Sequence, residues 1–132
     1  MDSLSPVIEA IRAQLPEVQA IYLFGSRAAG LETSDSDCDL AVLQATPIEE
    51  IARWELASRL SEILRVEVDL VDLRRASAVM RAQVLGTSQL LLDGAPGERM
   101  RFEALALADY ARLNEERRGI LDDVRARGSL RG

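Results

Sequence analysis

Asp37 and Asp39 stand two residues apart at the start of an apolar run that continues Leu40-Ala41-Val42-Leu43. On a strand, residues two apart share a face, so both carboxylates point the same way. Side by side they repel each other unless a cation lies between them. An all-oxygen pair of this kind suits magnesium, which keeps several waters and takes one or two protein carboxylates together with phosphate oxygens. Ten residues separate Asp37 from the pair Gly25-Ser26, itself at the exit of the apolar run Tyr22-Leu23-Phe24. Gly25 lets the backbone approach a ligand closely and take unusual dihedrals. Ser26 adds a hydroxyl and a backbone N–H for a phosphate oxygen, as in a backbone anion nest. These residue types imply a site for a magnesium-bound nucleoside triphosphate. Arg27 follows directly and either reaches a phosphate or pairs with a nearby acid such as Glu32 or Asp35. Ser34, Asp35 and Ser36 read as loop or turn residues ahead of the pair.

A third carboxylate is found by alternation. Residues 66–73 form a strand, Val66-Glu67-Val68-Asp69-Leu70-Val71-Asp72-Leu73. Asp69 shares a face with Glu67 and Val71, and Asp72 shares the other with Val68 and Leu70. A mid-strand aspartate among apolar residues is costly to bury unless it meets a cation or a donor. Asp72, at the strand exit, is explained by a cap or turn. Asp69 is therefore the third candidate ligand.

The elements that must hold these groups read as alternating helices and strands. Leu4, Val7, Ile8, Ile11 and Leu15 predict a helix over 3–15, capped by Ser3 or Ser5 and stopped by Pro16. A strand over 18–24 leads into Gly25-Ser26. Cys38, between the two aspartates, points away from them into the core. Ile48, Ile51, Ala52, Leu56, Leu60, Ile63 and Leu64 mark an amphipathic helix over 48–64, with Pro47 near its start. Trp54 falls off that stripe and reads as an edge-of-core tryptophan; stacking on a base or touching a partner is the alternative. A helix over 76–86 ends at Gly86, and Leu90-Leu91-Leu92 form a short strand closed by Asp93-Gly94. Ala95-Pro96-Gly97 reads as a break. A long helix over 98–127 follows, with Phe102, Leu105, Ala106, Tyr110, Leu113, Ile120, Leu121 and Val124 at helical spacing. Part of it is expected on the core and part against a partner. The last residues, 128–132, are expected to fray.

Composition narrows the chemistry further. The 132 residues, 48% of them hydrophobic, suffice for a single compact domain, 1–132. All 16 basic residues are arginine, and there is neither histidine nor lysine. That excludes Ser-His-Asp and Cys-His mechanisms, a P-loop lysine and a Schiff base. Any general base is a carboxylate, the thiol, a tyrosine or the N-terminus. The net charge of −6 argues against broad binding to nucleic acid. The charge is uneven: residues 1–96 carry 8 arginines against 15 acids, and 97–132 carry 8 against 7. The arginine-rich tail reads as a solvated helix face, with an acidic partner or a triphosphate as alternatives. No apolar run reaches the roughly 20 residues of a membrane span, and the first residues lack signal-peptide character. A single cysteine fits a reducing, cytoplasmic setting.

Gly25-Ser26, ten residues and Asp37-x-Asp39 resemble the signature of the DNA polymerase β-type nucleotidyltransferase superfamily. The short chain and the Val68–Leu73 run are similar to its minimal nucleotidyltransferases, among them the MNT antitoxins of HEPN/MNT toxin–antitoxin pairs. The resemblance covers the chain from about Val18 to the C-terminal helix. It implies an α/β (α+β) nucleotidyltransferase fold: a small mixed sheet, helices packed on it and a long C-terminal helix over 97–132 that serves as a partner-binding element. It places Asp69 as the third carboxylate and sets its strand beside that of Asp37 and Asp39. It further implies two magnesium ions, roughly 3.5–4 Å apart, held by Asp37, Asp39 and Asp69. ATP would lie with its β/γ phosphates on Gly25, Ser26 and Arg27. Family members often carry a second arginine where Ala29 stands here. The implied acceptor is a tyrosine of a HEPN toxin, in a hetero-oligomer, with no direct nucleic-acid or membrane partner. Two alternatives remain: a small-molecule adenylyltransferase, and a non-catalytic antitoxin that works by occlusion.

Overall fold

The computed structural model describes residues 4–28, 30 and 37–128. Eight elements run in the order α1 (Ser5–Gln14), β1 (Ala20–Phe24), β2 (Cys38–Leu43), α2 (Glu50–Leu64), β3 (Val68–Asp72), α3 (Ala78–Thr87), β4 (Gln89–Asp93) and α4 (Pro96–Gly128). The four strands form one mixed sheet in the order β3-β2-β1-β4. β1 lies antiparallel to both β2 and β4, whereas β2 and β3 are parallel.

Alternation along each strand sorts the core into two layers. Ile21, Leu23, Cys38, Leu40, Val42, Val68 and Leu70 face α1 and α2, meeting Val7, Ile11, Leu56 and Leu60. Ala20, Tyr22, Ala41 and Leu43 face α3 and α4, meeting Val84, Phe102 and Ala106. The sheet is thus covered on both sides, and each fully buried Leu or Ile contributes roughly 1.5–3 kcal/mol. On the second face, Tyr22 donates to Glu103 Oε2 at 2.8 Å, and Arg99 joins Glu103 to Asp93. Burial and the neighbouring Glu103 carboxylate hold the Tyr22 phenol well above its ordinary range. This network fastens the start of α4 across β1 and β4.

Several local expectations need correction. Helix α1 takes Leu4 as its N-cap, with no side-chain cap bond, because Ser5 already lies inside the helix. Gly86 does not end α3; the helix runs through Thr87, and Ser77 caps its start by accepting from Met80 N at 3.1 Å. Ala95-Pro96-Gly97 is not a break. Pro96 opens α4, as proline is suited to do in a first turn. Ile51, placed on the buried stripe of α2, is 65% exposed. At 3.6 residues per turn it lies opposite Leu60, and the buried row is instead Ala52, Leu56, Leu60 and Leu64. The expectations for Ser3, Glu32, Ser34, Asp35, Ser36 and residues 129–132 fall outside the described residues.

Asp72 is the one buried acid among the described residues. Its Oδ2 accepts from Ile48 N at 2.8 Å and its Oδ1 from Arg74 N at 3.0 Å. It therefore ties the loop before α2 to the exit of β3, the cap role its position suggests. Asp72→Ala strands both N–H groups. We expect a loss of about 2–4 kcal/mol, read as a lower urea midpoint, with Asp72→Asn recovering part of it. An unchanged midpoint would remove this role.

Candidate active site

Asp39 sits near the start of central strand β2, flanked by two backbones. In the antiparallel register it opposes Phe24, the last residue of β1, and in the parallel register it pairs with Asp69 of β3. Asp39, Asp69, Phe24 and Val71 alternate onto the face that α3 and α4 cover, but at the end of the sheet beyond Tyr22 and Ala41. Asp39 is half-buried and Asp69 is exposed. Asp37 lies exposed one residue ahead of β2 rather than inside it.

The bend after β1 closes on the same point. Gly25 has φ +76°, and a Cβ built there would lie 2.2 Å from Asp39 Oδ2. Glycine is therefore required twice: by the left-handed backbone, and by the carboxylate that occupies the space of a side chain. Ser26 follows, exposed, and Gly30 N donates to Arg27 O at 3.3 Å, folding the turn back. Arg27 is half-buried with its charge near Cys38, whose thiol burial pushes up and Arg27 draws down. Cys38 itself is fully buried toward α1 and α2, as alternation demands.

The electrostatics show how the three acids relate. The Asp39 carboxyl is raised above the usual carboxylate range, first by burial, then by the charge of Asp69, then by that of Asp37. Asp39 thus lies within reach of the charge of both other carboxylates, one on its own chain segment and one on β3. Among the described residues no three acidic or thiol side chains yet enclose a single ion point. The donor set is nonetheless all-oxygen, anionic and mutually repelling, which fits a hard divalent cation such as magnesium.

One neighbour is absent from any motif. Arg53 on α2 donates from Nη1 to Leu70 O at 2.9 Å and pairs through Nη2 with Glu50. Its guanidinium feels the charges of Asp69 and Asp72. Arg53 thus clamps β3 one residue past Asp69. The Glu50–Arg53 spacing signals a helix-surface pair, but nothing in the sequence says that it reaches the strand. Trp54, expected at the edge of the core, is 65% exposed beside it.

A strand–bend–strand unit whose carboxylate packs against a glycine, with a second carboxylate in register on the neighbouring strand, defines a nucleotidyltransferase-type site. The family model described as polymerase beta, nucleotidyltransferase matches residues 7–96. The protein adenylyltransferase MntA of Shewanella oneidensis is 43% identical over 120 residues, covering 91% of this chain and 86% of that protein. A crystal structure of a toxin–antitoxin with AMP-PNP contains a chain that is 40% identical, with a TM-score of 0.83, covering 94% of this chain and 98% of that one. A structure of the tri-AMPylated Shewanella oneidensis HEPN toxin in complex with MNT antitoxin matches at 39% identity and a TM-score of 0.78, covering 92% and 95%. The chain belongs to the polymerase-beta nucleotidyltransferase family, among the MntA-type protein adenylyltransferases.

Proposed function

We propose that this chain transfers AMP from ATP to a tyrosine hydroxyl of a HEPN toxin, and so acts as the antitoxin of the pair. The observation that carries the reading is the in-register pairing of Asp39 with Asp69, packed against Gly25. The toxin–antitoxin complexes among the similar structures supply the partner class. Gly25 and Ser26 hold the β/γ phosphates through backbone N–H groups and the serine hydroxyl. With no lysine in the chain, Arg27 is the cation of this turn for the triphosphate. Asp69, exposed on the far side of Asp39 from Gly25, orients the incoming hydroxyl and receives its proton. The tyrosine oxygen bonds to the α-phosphorus as the α–β bridging P–O bond breaks, and pyrophosphate leaves. Asp37, Asp39 and Asp69 would hold magnesium, which supplies charge for the developing oxyanions and a lower pKa for the hydroxyl. On the toxin, the added AMP brings negative charge and bulk to the modified surface. The outer half of α4, where Ile120, Leu121 and Val124 are 63%, 54% and 56% exposed, is assigned to holding the partner. The setting is the cytoplasm, where ATP and magnesium are present.

Incubation of this chain with ATP, magnesium and a HEPN toxin that it binds should raise the HEPN protein's intact mass in whole AMP units. Peptide mapping should place them on tyrosine. Chelation with EDTA should abolish the gain. A HEPN protein that is bound and inhibited with no change in mass would overturn the enzymatic reading in favour of occlusion.

A further inference from the structure

The strand order sets direction at the site. Gly25 and Ser26 lie on the β1 side of Asp39, and Asp69 lies on β3, the edge strand beyond it. In-line displacement puts the attacking oxygen opposite the departing pyrophosphate. With the β/γ phosphates at Gly25-Ser26, the acceptor must approach from the outer edge of β3.

That edge is shaped by two hollows, of about 230 Å³ and about 300 Å³, which share Arg53, Asp69 and Leu70. The smaller also takes in Trp54 and Glu67. Trp54 and Ile51, three residues apart on the outer face of α2, are each 65% exposed. Trp54 shares a hollow with Asp69 and Ile51 extends the exposed apolar face next to it, which marks a contact surface more than a core. Part of the strand's outer edge is already engaged. Leu70 O is taken by Arg53, Val68 N donates to Ser61 Oγ at 3.0 Å, and Asp72 O accepts from Arg75 N and Ala76 N. Strand addition would have to break these bonds, whereas a segment lying on side chains keeps them. Of the charges that line these hollows, Arg75 is engaged by Ile48 O and Asp72. Arg53 is engaged by Glu50 and Leu70 O, whereas Glu67 has no ion-pair partner among the described residues.

Building on the proposed transfer of AMP to a protein hydroxyl, we infer that the outer edge of β3 and the exposed face of α2 form the acceptor-binding surface. It takes a tyrosine-bearing segment of the partner with a basic residue beside the tyrosine. The hydroxyl reaches Asp69, the segment packs on Trp54 and Ile51, and the basic side chain meets Glu67. The bonds made and broken are those of the transfer already given.

The test measures AMP transfer by wild type, Trp54→Ala, Trp54→Phe and Glu67→Arg, varying the HEPN partner at saturating ATP and then ATP at saturating partner. All changes are at exposed positions, and melting curves verify folding. Trp54→Ala and Glu67→Arg should raise the half-saturating partner concentration about tenfold or more. Trp54→Phe should recover most of that loss. The rate at saturating partner and the half-saturating ATP concentration should stay within about twofold of wild type, the pattern of lost acceptor binding without lost chemistry. Unchanged partner half-saturation in both variants overturns the surface. A Trp54→Ala protein whose ATP half-saturation rises instead assigns the indole to the base and also overturns it. A wild-type chain that transfers nothing to the partner overturns the function itself, a result distinct from active variants with unaltered partner dependence.

Discussion

Asp39→Asn is expected to lower AMP transfer by about 100- to 1,000-fold and, in EDTA, to raise the melting temperature. The two effects have one cause. Burial raises the Asp39 carboxyl, and the charges of Asp69 and then Asp37 raise it further. A carboxyl raised in the folded state binds more protons there than in the unfolded chain. Between its ordinary range and its folded value, stability falls as pH rises, and the ionised group costs stability at neutral pH. Asparagine keeps the size and one oxygen but removes the charge, so that cost disappears with the charge that would hold the metal. In EDTA, wild type should gain stability on acidification through this window, and the variant should lack that gain. Magnesium at neutral pH should stabilise wild type by binding the folded state and leave the variant nearly unmoved. Melts at two pH values, with EDTA and with magnesium, check the whole pattern. A variant that melts below wild type in EDTA would show that the carboxylates are not crowded.

The same logic explains what the sequence made legible. Strand alternation is a strict period of two, so it puts Asp69 and Asp72 on opposite faces and sends Cys38 inward, as the structure has them; the burial argument that singles out Asp69 fails, because Asp69 is exposed at the sheet's end and Asp72 is the acid that is buried. The Gly25-Ser26 and Asp37-x-Asp39 spacing located the bend and the central strand. Their contact through Asp39 Oδ2 and the register of Asp39 with Asp69 are tertiary facts that spacing could not give without the family resemblance. Helix faces were harder to read. A stripe covering about half a turn can be drawn through several sets of apolar residues, and Ile51 was drawn in although its side of α2 meets solvent. Glycine and proline misled in the opposite sense. Gly86 and Pro96-Gly97 look like punctuation, yet α3 runs one residue past Gly86 and the first-turn tolerance of proline lets Pro96 open α4. Arg53 was invisible because its partner is a backbone carbonyl seventeen residues away, Leu70 O.

Gly25→Ala supplies the complementary result: transfer falls about 100-fold, and stability falls with it. The residue has φ +76°, a conformation that costs a side chain roughly 1–2 kcal/mol. The added Cβ would lie 2.2 Å from Asp39 Oδ2, 3.1 Å from its Cγ and 3.3 Å from its Cβ. Rotation of the Asp39 side chain relieves the first two contacts but moves the carboxylate out of place, and a shift of about 1 Å at a reacting centre costs on the order of 100-fold. The third contact needs the bend itself to move, which displaces the Ser26 N–H from the position proposed for the phosphates. Opposite signs in the melting experiment therefore separate two variants with similar losses of activity. Asp39→Asn melts higher in EDTA because a charge is gone, and Gly25→Ala melts lower because space is gone. The decisive measurement is the coupling between them. In an Asp39→Ala background the clashing carboxylate is absent, so Gly25→Ala should cost less stability there than in wild type, leaving chiefly the backbone term. An equal cost in both backgrounds would mean that the bend and the carboxylate do not touch, and the site built around their contact would fall with it.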